Sequence, residues 1–158
     1  MIHSAGMACT FERIPSAPPI PKGVKVAFVK TLPSLVRLTT ERRQRHHQGR
    51  NLLARLNVQR VRCFSATADG LPVGETELFL VAGVAGIYNV EVLRPYRRRG
   101  IGSLLLHSAL QHAKQLGYRI ATLGATGMGQ CLYEHSGFEE VCKLSFWKYP
   151  KTHARNLA

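Results

Sequence analysis

The fold of this chain is decided by residues 84–116, VAGIYNVEVLRPYRRRGIGSLLLHSALQHAKQL. The opening VAGIYNVEV favours a β-strand, and Pro95 stops it because its ring cannot join a strand ladder and biases the preceding residue away from helix. Apolar residues at helical spacing then begin at Ile101 and predict a helix that Gly117 ends in the left-handed conformation. The stretch is therefore a strand, a basic loop and a helix in immediate succession.

Strand patterns flank this unit on both sides. Upstream, residues 61–68 and 73–81 predict an antiparallel hairpin, because the turn dipeptide Asp69-Gly70 joins them. Downstream, residues 118–123 predict a strand parallel to the one at 84–92, since a helix connects the two. Together they predict a mixed α/β (α+β) sheet. The remaining predicted elements are a strand at 24–31, a partly helical basic stretch at 35–56, a short helix at 129–135 and a hairpin or long bent strand at 138–149.

The charge of the chain is high and unevenly spread. The formal net charge is +13, and residues 1–60 hold eleven Lys or Arg against two acids, whereas residues 61–158 hold eleven against seven. Such basicity leaves a nucleic-acid or ribosome-associated binding module open as an alternative. Aromatic side chains are few and do not alternate with the basic ones, so nucleic acid is not the expected partner. The four cysteines form no C-x-x-C pair and have no His at zinc-ligand spacing, so no metal site is expected.

The loop between the central strand and helix has the chemistry of an anion site. Its glycines let the backbone approach a ligand closely, and the first amides of a helix have no internal partner. The helix dipole and three arginines add positive charge, so a pyrophosphate is the natural guest. The loop lacks the Gly-Lys-Ser/Thr ending of a P-loop, and Leu105 stands where a dinucleotide-binding G-x-G-x-x-G has its last glycine.

Two separated motifs carry a family resemblance. The pattern Arg97-x-x-Gly100-x-Gly102 resembles the acetyl-CoA pyrophosphate loop of the GNAT N-acetyltransferase superfamily. Residues 132–138, LYEHSGF, resemble its C-terminal Tyr-x-x-x-Gly-Phe signature, and LGATGMGQCLYEHSGF at 123–138 is similar to a bacterial subgroup whose substrates are mostly unassigned. The resemblance implies a GNAT-like acyl-CoA N-acyltransferase fold, with a mostly antiparallel central sheet that splays between its fourth and fifth strands and is flanked by helices.

The resemblance also bears on domain organisation. It covers residues 60–149, within a single GNAT-like domain expected at 24–150. The prolines from Pro15 to Pro21 predict that residues 1–23 form a poorly ordered arm, and residues 151–158 are a tail. The start of the chain has neither a basic segment nor an apolar block, and no apolar stretch approaches the roughly 20 residues of a spanning helix. We therefore expect no membrane partner and a cytoplasmic location.

The resemblance implies acetyl-CoA as co-substrate and an amine as acceptor. It places the loop amides around the diphosphate and the pantetheine arm beside the strand at 84–92, where the sheet splays. Thr126 stands where the family often has an Asn that contacts pantetheine. The residues implied for cofactor binding are Asn89, Val90, Val92, Arg97, Arg98, Arg99, Gly100, Ile101, Gly102, Ser103 and Thr126.

The resemblance assigns the catalytic acid to Tyr133, which aligns with a family tyrosine often proposed to protonate the departing CoA thiolate. A phenol with its ordinary pKa near 10 is protonated at neutral pH and can donate; a half-buried core tyrosine is the alternative. Glu91 is the first choice as general base, a base acting through water stays open, and the other candidates are Glu75, Glu77 and His135. A covalent route through Cys131 would need a lowered thiol pKa.

The expected function is transfer of an acetyl group from acetyl-CoA to a primary amine of a small molecule or peptide by direct nucleophilic attack. A backbone amide near Val92 would stabilise the tetrahedral oxyanion. A catalytically silent CoA-binding protein is a further alternative. A homodimer also stays open.

Overall fold

The computed structural model of the chain describes residues 2–29 and 60–147. These residues form seven strands and two α-helices, with a short 3-10 turn at Arg94–Tyr96. In chain order they are β1 (Ile2–Thr10), β2 (Val24–Val29), β3 (Val61–Ala68), β4 (Leu71–Val81), β5 (Val84–Val92), α1 (Ile101–Gln115), β6 (Ile120–Ala125), α2 (Gln130–Glu134) and β7 (Glu139–Phe146). The strands make one sheet in the order β2-β3-β4-β5-β6-β1-β7. Only β5 and β6 pair in parallel, so the predicted mixed, mostly antiparallel sheet is confirmed.

Two tight turns set the register of the strands β3, β4 and β5. Asp69 and Gly70 have φ angles of 50° and 78°, and Ala82 and Gly83 have φ angles of 52° and 77°. Positive φ at both central residues is typical of the two-residue hairpin turn whose twist matches that of the strands. The predicted hairpin at Asp69-Gly70 is confirmed, and a second one follows it directly.

Strand β1 lies inside the sheet, between β6 and β7, and runs antiparallel to both. Its core-facing side chains include Met7 and Cys9, which are 1% and 4% exposed, because alternate residues of a strand face the same side. The prediction of a poorly ordered arm is therefore wrong for Ile2–Thr10. Residues 11–23, which hold the prolines, are turns and irregular chain.

Helix α1 covers one face of the sheet, above β3, β4 and β5. Gly74 allows the close approach, since a β-carbon there would lie 2.9 Å from the Glu91 carbonyl oxygen and 3.0 Å from Leu105 Cδ1. The helix ends as predicted at Gly117, whose φ is 86°. The buried residues of α1 are Ile101, Leu104, Leu105, Leu106, Ala109, Leu110 and Ala113.

The sheet splays between β5 and β6. Their parallel pairing covers Ala85 to Ile87 of β5 and goes no further along the described strands. Immediately beyond, the register between β4 and β5 shifts by one residue, and Asn89 adopts a left-handed φ of 52°. A bulge of this kind bends its strand and increases its local twist. The predicted splay is confirmed. Because β1 adds a strand at the start of the chain, the splay lies between the fifth and sixth strands rather than between the fourth and fifth.

Other predictions are met in part or fall outside the described residues. The strand expected at 24–31 is observed as far as Val29, and the final segment is the single strand β7 rather than a hairpin. The basic stretch at 35–56 and the tail at 151–158 lie outside the described residues. Within residues 2–29 and 60–147, neither helix has the length and apolar character needed to cross a membrane.

Candidate functional site

The N-terminus of α1 presents free backbone donors. Gly100 occupies the N-cap position in the left-handed conformation, with φ 78° and ψ −2°, and no side chain caps the helix. Leu104 donates the first helical hydrogen bond, 3.0 Å to the Gly100 carbonyl. The amides of Ile101, Gly102 and Ser103 therefore have no helical acceptor. Together with the positive end of the helix dipole, they form a site suited to an anion.

The three arginines of the loop have different surroundings. The Arg97 Nε donates 2.9 Å to the Val92 carbonyl, which ties the loop back to the end of β5. The Arg99 guanidinium lies 5.5 Å from the centroid of the Tyr96 ring, within cation–π range. Arg98 is exposed, with a left-handed φ of 62°. All three place positive charge beside the first turn of α1.

Three elements converge at Gly102. A β-carbon at this position would lie 3.5 Å from Leu132 Cδ2 of α2 and 3.9 Å from Val92 Cγ2 of β5. The start of α1, the end of β5 and the helix that carries Tyr133 therefore meet at one point. The structure therefore brings together the candidate cofactor residues of β5 and α1. The candidate acid, Tyr133, is the residue directly after Leu132.

Tyr133 is the buried residue of α2 and is 9% exposed. Its ring packs edge-to-face against Phe138, with centroids 6.1 Å apart, and a β-carbon at Gly129 would come within 2.8 Å of its Cε2 atom. Burial raises the pKa of the Tyr133 phenol. Thr126 is exposed, and its backbone carbonyl accepts the Gly129 amide at 2.8 Å at the start of α2.

The candidate bases on the strands surround the bulge in β5. Glu75 is 2% exposed and opposes the exposed Glu91 in register. The side-chain amide of Asn89 donates a 2.7 Å hydrogen bond to the Glu77 carboxylate. The sequence predicted Asn89 only as a contact for pantetheine, and this bond was not foreseen, because it depends on the bulge.

His135 lies beside Cys131 on α2. Its Nδ1 atom is 3.5 Å from the Cys131 sulfur and 2.6 Å from the Cys131 carbonyl oxygen. Since the carbonyl can only accept, Nδ1 carries the hydrogen in this bond and cannot take the thiol proton. Sequence reasoning missed this neighbour of the thiol, although the i, i+4 spacing on a helix is its signal. His135 Nδ1 therefore cannot act as the base that a covalent route through Cys131 would need.

The sequence also missed that residues 11–23 approach the loop. This segment must cross the molecule, because β1 lies beside β7 and β2 forms the opposite edge of the sheet. A β-carbon at Gly100 would lie 3.8 Å from Pro21 Cγ, and one at Gly137 would lie 2.5 Å from the Arg13 carbonyl oxygen. The segment and the two helices line a partly open cavity of about 220 Å³. Its lining residues are Ile14, Pro15, Ser16, Pro18, Ser103, His107, Leu110, His135 and Ser136.

The described residues contain no cluster of side chains that could bind a metal ion. Among residues 2–29 and 60–147, no three His, Cys, Asp or Glu side chains converge as a cation would require. All four cysteines lie in these ranges and are free thiols, Cys9 and Cys63 buried, Cys131 and Cys142 exposed. Burial raises the pKa of Cys9 to about 11 and that of Cys63 to about 12, so neither buried thiol is a nucleophile at neutral pH.

The fold and motifs are similar to those of known acetyltransferases. The uncharacterized N-acetyltransferase CgeE of Bacillus subtilis (strain 168) is 36% identical over 95 residues, which are 58% of this chain and 34% of that protein. A GCN5-related N-acetyltransferase from Sphaerobacter thermophilus superposes with a TM-score of 0.68 at 23% identity, covering 89% of this chain and 49% of that one. The chain thus spans about a third and about half of these two relatives.

A third similarity extends over nearly the whole of the other protein. The aminoglycoside acetyltransferase meta-AAC0020, from an uncultured soil metagenomic sample and solved in complex with trehalose, gives a TM-score of 0.62 at 17% identity, over 82% of this chain and 96% of that one. At such identities the structural likenesses establish the fold. Residues 30–138, more than half of the chain, match the model of the acetyltransferase (GNAT) family. The chain therefore belongs to the GNAT family of acetyltransferases.

Proposed function

We propose that this protein transfers the acetyl group of acetyl-CoA to a primary amine of a small molecule or peptide by direct attack. The observation that carries the proposal is the uncapped N-terminus of α1 beside the splay between β5 and β6. Acetyl-CoA is the co-substrate that the family generally uses. The diphosphate of acetyl-CoA can bind the amides at the start of α1. Its amide-rich pantetheine arm can lie against β5 beyond the point where β5 pairs with β6.

The cofactor would bind through backbone groups. The amides from Arg98 to Ser103 would cradle the diphosphate, which the helix dipole also favours. The pantetheine arm would lie along Asn89 to Val92, beyond Ile87, where the described pairing of β5 with β6 ends. An extended ligand can lie against the edge of a strand in the way an added strand does. Thr126 would contribute a single hydroxyl beside this arm.

The reaction would proceed by attack of the amine nitrogen on the thioester carbon. The new C–N bond forms, the carbonyl oxygen becomes an oxyanion that accepts a hydrogen bond from a backbone amide near Val92, and the C–S bond then breaks. Tyr133 would donate a hydrogen bond to the departing thiolate. As the C–S bond breaks, the phenol proton passes to sulfur. The amine nitrogen, which carries an excess proton once the C–N bond has formed, returns that proton to the phenolate. Because burial raises the pKa of Tyr133, the phenol keeps its proton until the thiolate forms.

The substrate amine must lose its ammonium proton before or during attack, since an ammonium has no lone pair. Glu77 is the carboxylate whose position is fixed by a hydrogen bond from Asn89. Glu91 lies next to Val92 and is exposed to solvent. We assign the base to Glu77, acting directly or through a water, with Glu91 as the alternative.

Two measurements test the proposal together. Calorimetric titration with acetyl-CoA should give saturable binding, and a free-thiol assay over a panel of amines should detect release of CoA. Amino sugars belong in the panel because one structural neighbour is an aminoglycoside acetyltransferase. Binding without thiol release from any amine would favour the silent CoA binder. The proposal would be contradicted if the protein did not bind acetyl-CoA and instead bound nucleic acid with an affinity that falls steeply as salt is added.

A further inference from the structure

An aromatic pair lies on the face of the sheet opposite α1. Gly74 of β4 faces α1, because a β-carbon there would lie 3.0 Å from Leu105 Cδ1. Since alternate residues of a strand face the same side, Glu77 and Phe79 of β4 face away from α1. Tyr88 of β5 opposes Glu77 in register, and its ring meets that of Phe79 edge-on, with centroids 5.0 Å apart. The two rings and the carboxylate therefore share this face.

The Tyr88 ring is held in place while one side of it stays open. A β-carbon at Gly86 would come within 2.9 Å of Tyr88 Cε2, so the glycine lets the ring lie over the sheet. Thr76 Oγ1 donates a 3.1 Å hydrogen bond to the Tyr88 carbonyl, which fixes the backbone beside the bulge. Tyr88 is nevertheless 54% exposed. The ring is therefore a fixed apolar surface that offers one side to a ligand.

Carboxylates continue the row from these rings along β4 and β5. Residues directly opposite each other on antiparallel strands have β-carbons about 5 Å apart, so the side chains of Glu77 and Tyr88 begin side by side. Glu75 and Glu91 form the register pair on the other side of the bulge. The row is therefore carboxylate-rich at one end and aromatic at the other. Its carboxylate end attracts a cation, although the chain has a net charge of +13.

We propose that this row binds the acceptor, and that the acceptor is a primary amine with an aromatic ring on a short alkyl chain. The inference rests on the proposed function, since it takes Glu77 as the base, and it names the substrate class. Residues two apart on a strand are separated by about 7 Å, and the Tyr88 ring lies over Gly86. A short alkyl chain therefore spans the distance from an ammonium at Glu77 to a ring stacked on Tyr88.

An amino sugar fits the same row less well. It carries several hydroxyl groups, and the ring faces of Phe79 and Tyr88 give them no hydrogen-bond partner. Polar groups that lose water without gaining a partner weaken binding. Tyr88 is thus the residue that would select an aromatic amine over a polyhydroxylated one.

The test compares 2-phenylethylamine with glucosamine as acceptors for the wild type, Tyr88→Ala, Tyr88→Phe and Phe146→Ala. Release of the CoA thiol at saturating acetyl-CoA gives kcat/KM for each amine. Phe146 is the matched control, because it is also 54% exposed but lies on β7, at the far edge of the sheet. Thermal unfolding and calorimetric titration with acetyl-CoA check that the variants keep the wild-type fold and cofactor site.

We expect the wild type to prefer 2-phenylethylamine over glucosamine at least about tenfold in kcat/KM. Tyr88→Ala should lower kcat/KM for 2-phenylethylamine about three- to tenfold and leave that for glucosamine unchanged. Tyr88→Phe and Phe146→Ala should keep the wild-type values for both amines, since the first retains the ring and the second lies elsewhere.

The inference is overturned if the wild type uses glucosamine as well as 2-phenylethylamine, or if Tyr88→Ala affects the two amines equally. It is also overturned if other primary amines react and 2-phenylethylamine does not, and in each of these cases the proposed function stands. Absence of thiol release from every amine, despite binding of acetyl-CoA, would overturn the proposed function as well.

Discussion

The side-chain amide of Asn89 holds the Glu77 carboxylate by a 2.7 Å hydrogen bond across the bulge of β5. Asn89 does so from a left-handed backbone conformation, with φ 52°, which Asn adopts more readily than most residues. The bond therefore fixes a carboxylate next to the place where β5 and β6 separate. In the proposed reaction this is the side from which the amine would lose its proton.

Replacing Glu77 with Gln should lower kcat strongly. The amide keeps the size of the side chain but cannot accept a proton, and a positioned general base typically contributes at least about 100-fold. Glu91→Gln is the matched control on the neighbouring strand and should cost far less. Steady-state thiol release, with acetyl-CoA affinity measured alongside, separates the two. A large loss in Glu91→Gln with a nearly active Glu77→Gln would move the base to Glu91.

An aspartate at Gly100 should abolish acetyl-CoA binding. It places a carboxylate where the diphosphate is expected, and it strains a backbone with φ 78°. Gly83→Asp is the control, because Gly83 has nearly the same φ of 77°, no neighbour within 4 Å, and lies in a hairpin turn away from α1. Calorimetry on both variants reads out the difference. Equal acetyl-CoA affinities in the two variants would show that the diphosphate does not bind at the N-terminus of α1.

Tyr133→Phe should lower kcat with little change in acetyl-CoA affinity, because the ring still packs against Phe138 while its hydroxyl is lost. Burial raises the pKa of Tyr133 above its ordinary value near 10. The protonated form therefore persists past that pH, and Tyr133 should add no falling limb to the rate profile of the wild type below about pH 10. Equal losses of kcat and of affinity in the variant would indicate a packing role alone.

Stability should fall on acidification because of His112. Its ring stacks on Phe28 at 5.5 Å and meets Phe64 edge-on at 5.6 Å, and its Nε2 atom is buried without a hydrogen-bond partner in the described part of the chain. Burial, with repulsion from Arg62, lowers the pKa of His112. The unfolded chain then binds the proton more readily, so this contribution to stability is present above the ordinary pKa near 6.5 and is lost as pH falls below it.

The matching experiment is urea unfolding of the wild type and His112→Leu between about pH 5 and about pH 8. The variant should show a smaller drop in unfolding free energy toward the acidic end. Parallel pH curves for the two proteins would show that His112 is not the group responsible.

The features that the sequence predicted well are local in the chain. The helix from Ile101 to Gln115 and its stop at Gly117 follow from spacing and from residue types that admit few conformations. Strand β1 was missed because its small residues have weak strand preference and its identity comes from pairing with β6 and β7, more than a hundred residues away. Its alternation of Met7 and Cys9 was the available signal.

The same distinction applies to the candidate site. The sequence predicted Gly100, Gly102 and Tyr133 as candidate site residues because each belongs to a short motif. It could not foresee that Asn89 would bond to Glu77, since that contact needs a bulge, or that Pro21 would approach Gly100, since that contact follows from the position of β1 in the sheet. Contacts set by topology are not encoded in any single stretch of residues.

A crystal structure of the protein with coenzyme A would show where the cofactor binds. We expect the diphosphate within hydrogen-bonding distance of the amides of Ile101, Gly102 and Ser103, with the pantetheine arm running into the gap between β5 and β6. A cofactor bound away from the start of α1, or no cofactor bound at saturating coenzyme A, would rule out the proposed cofactor site.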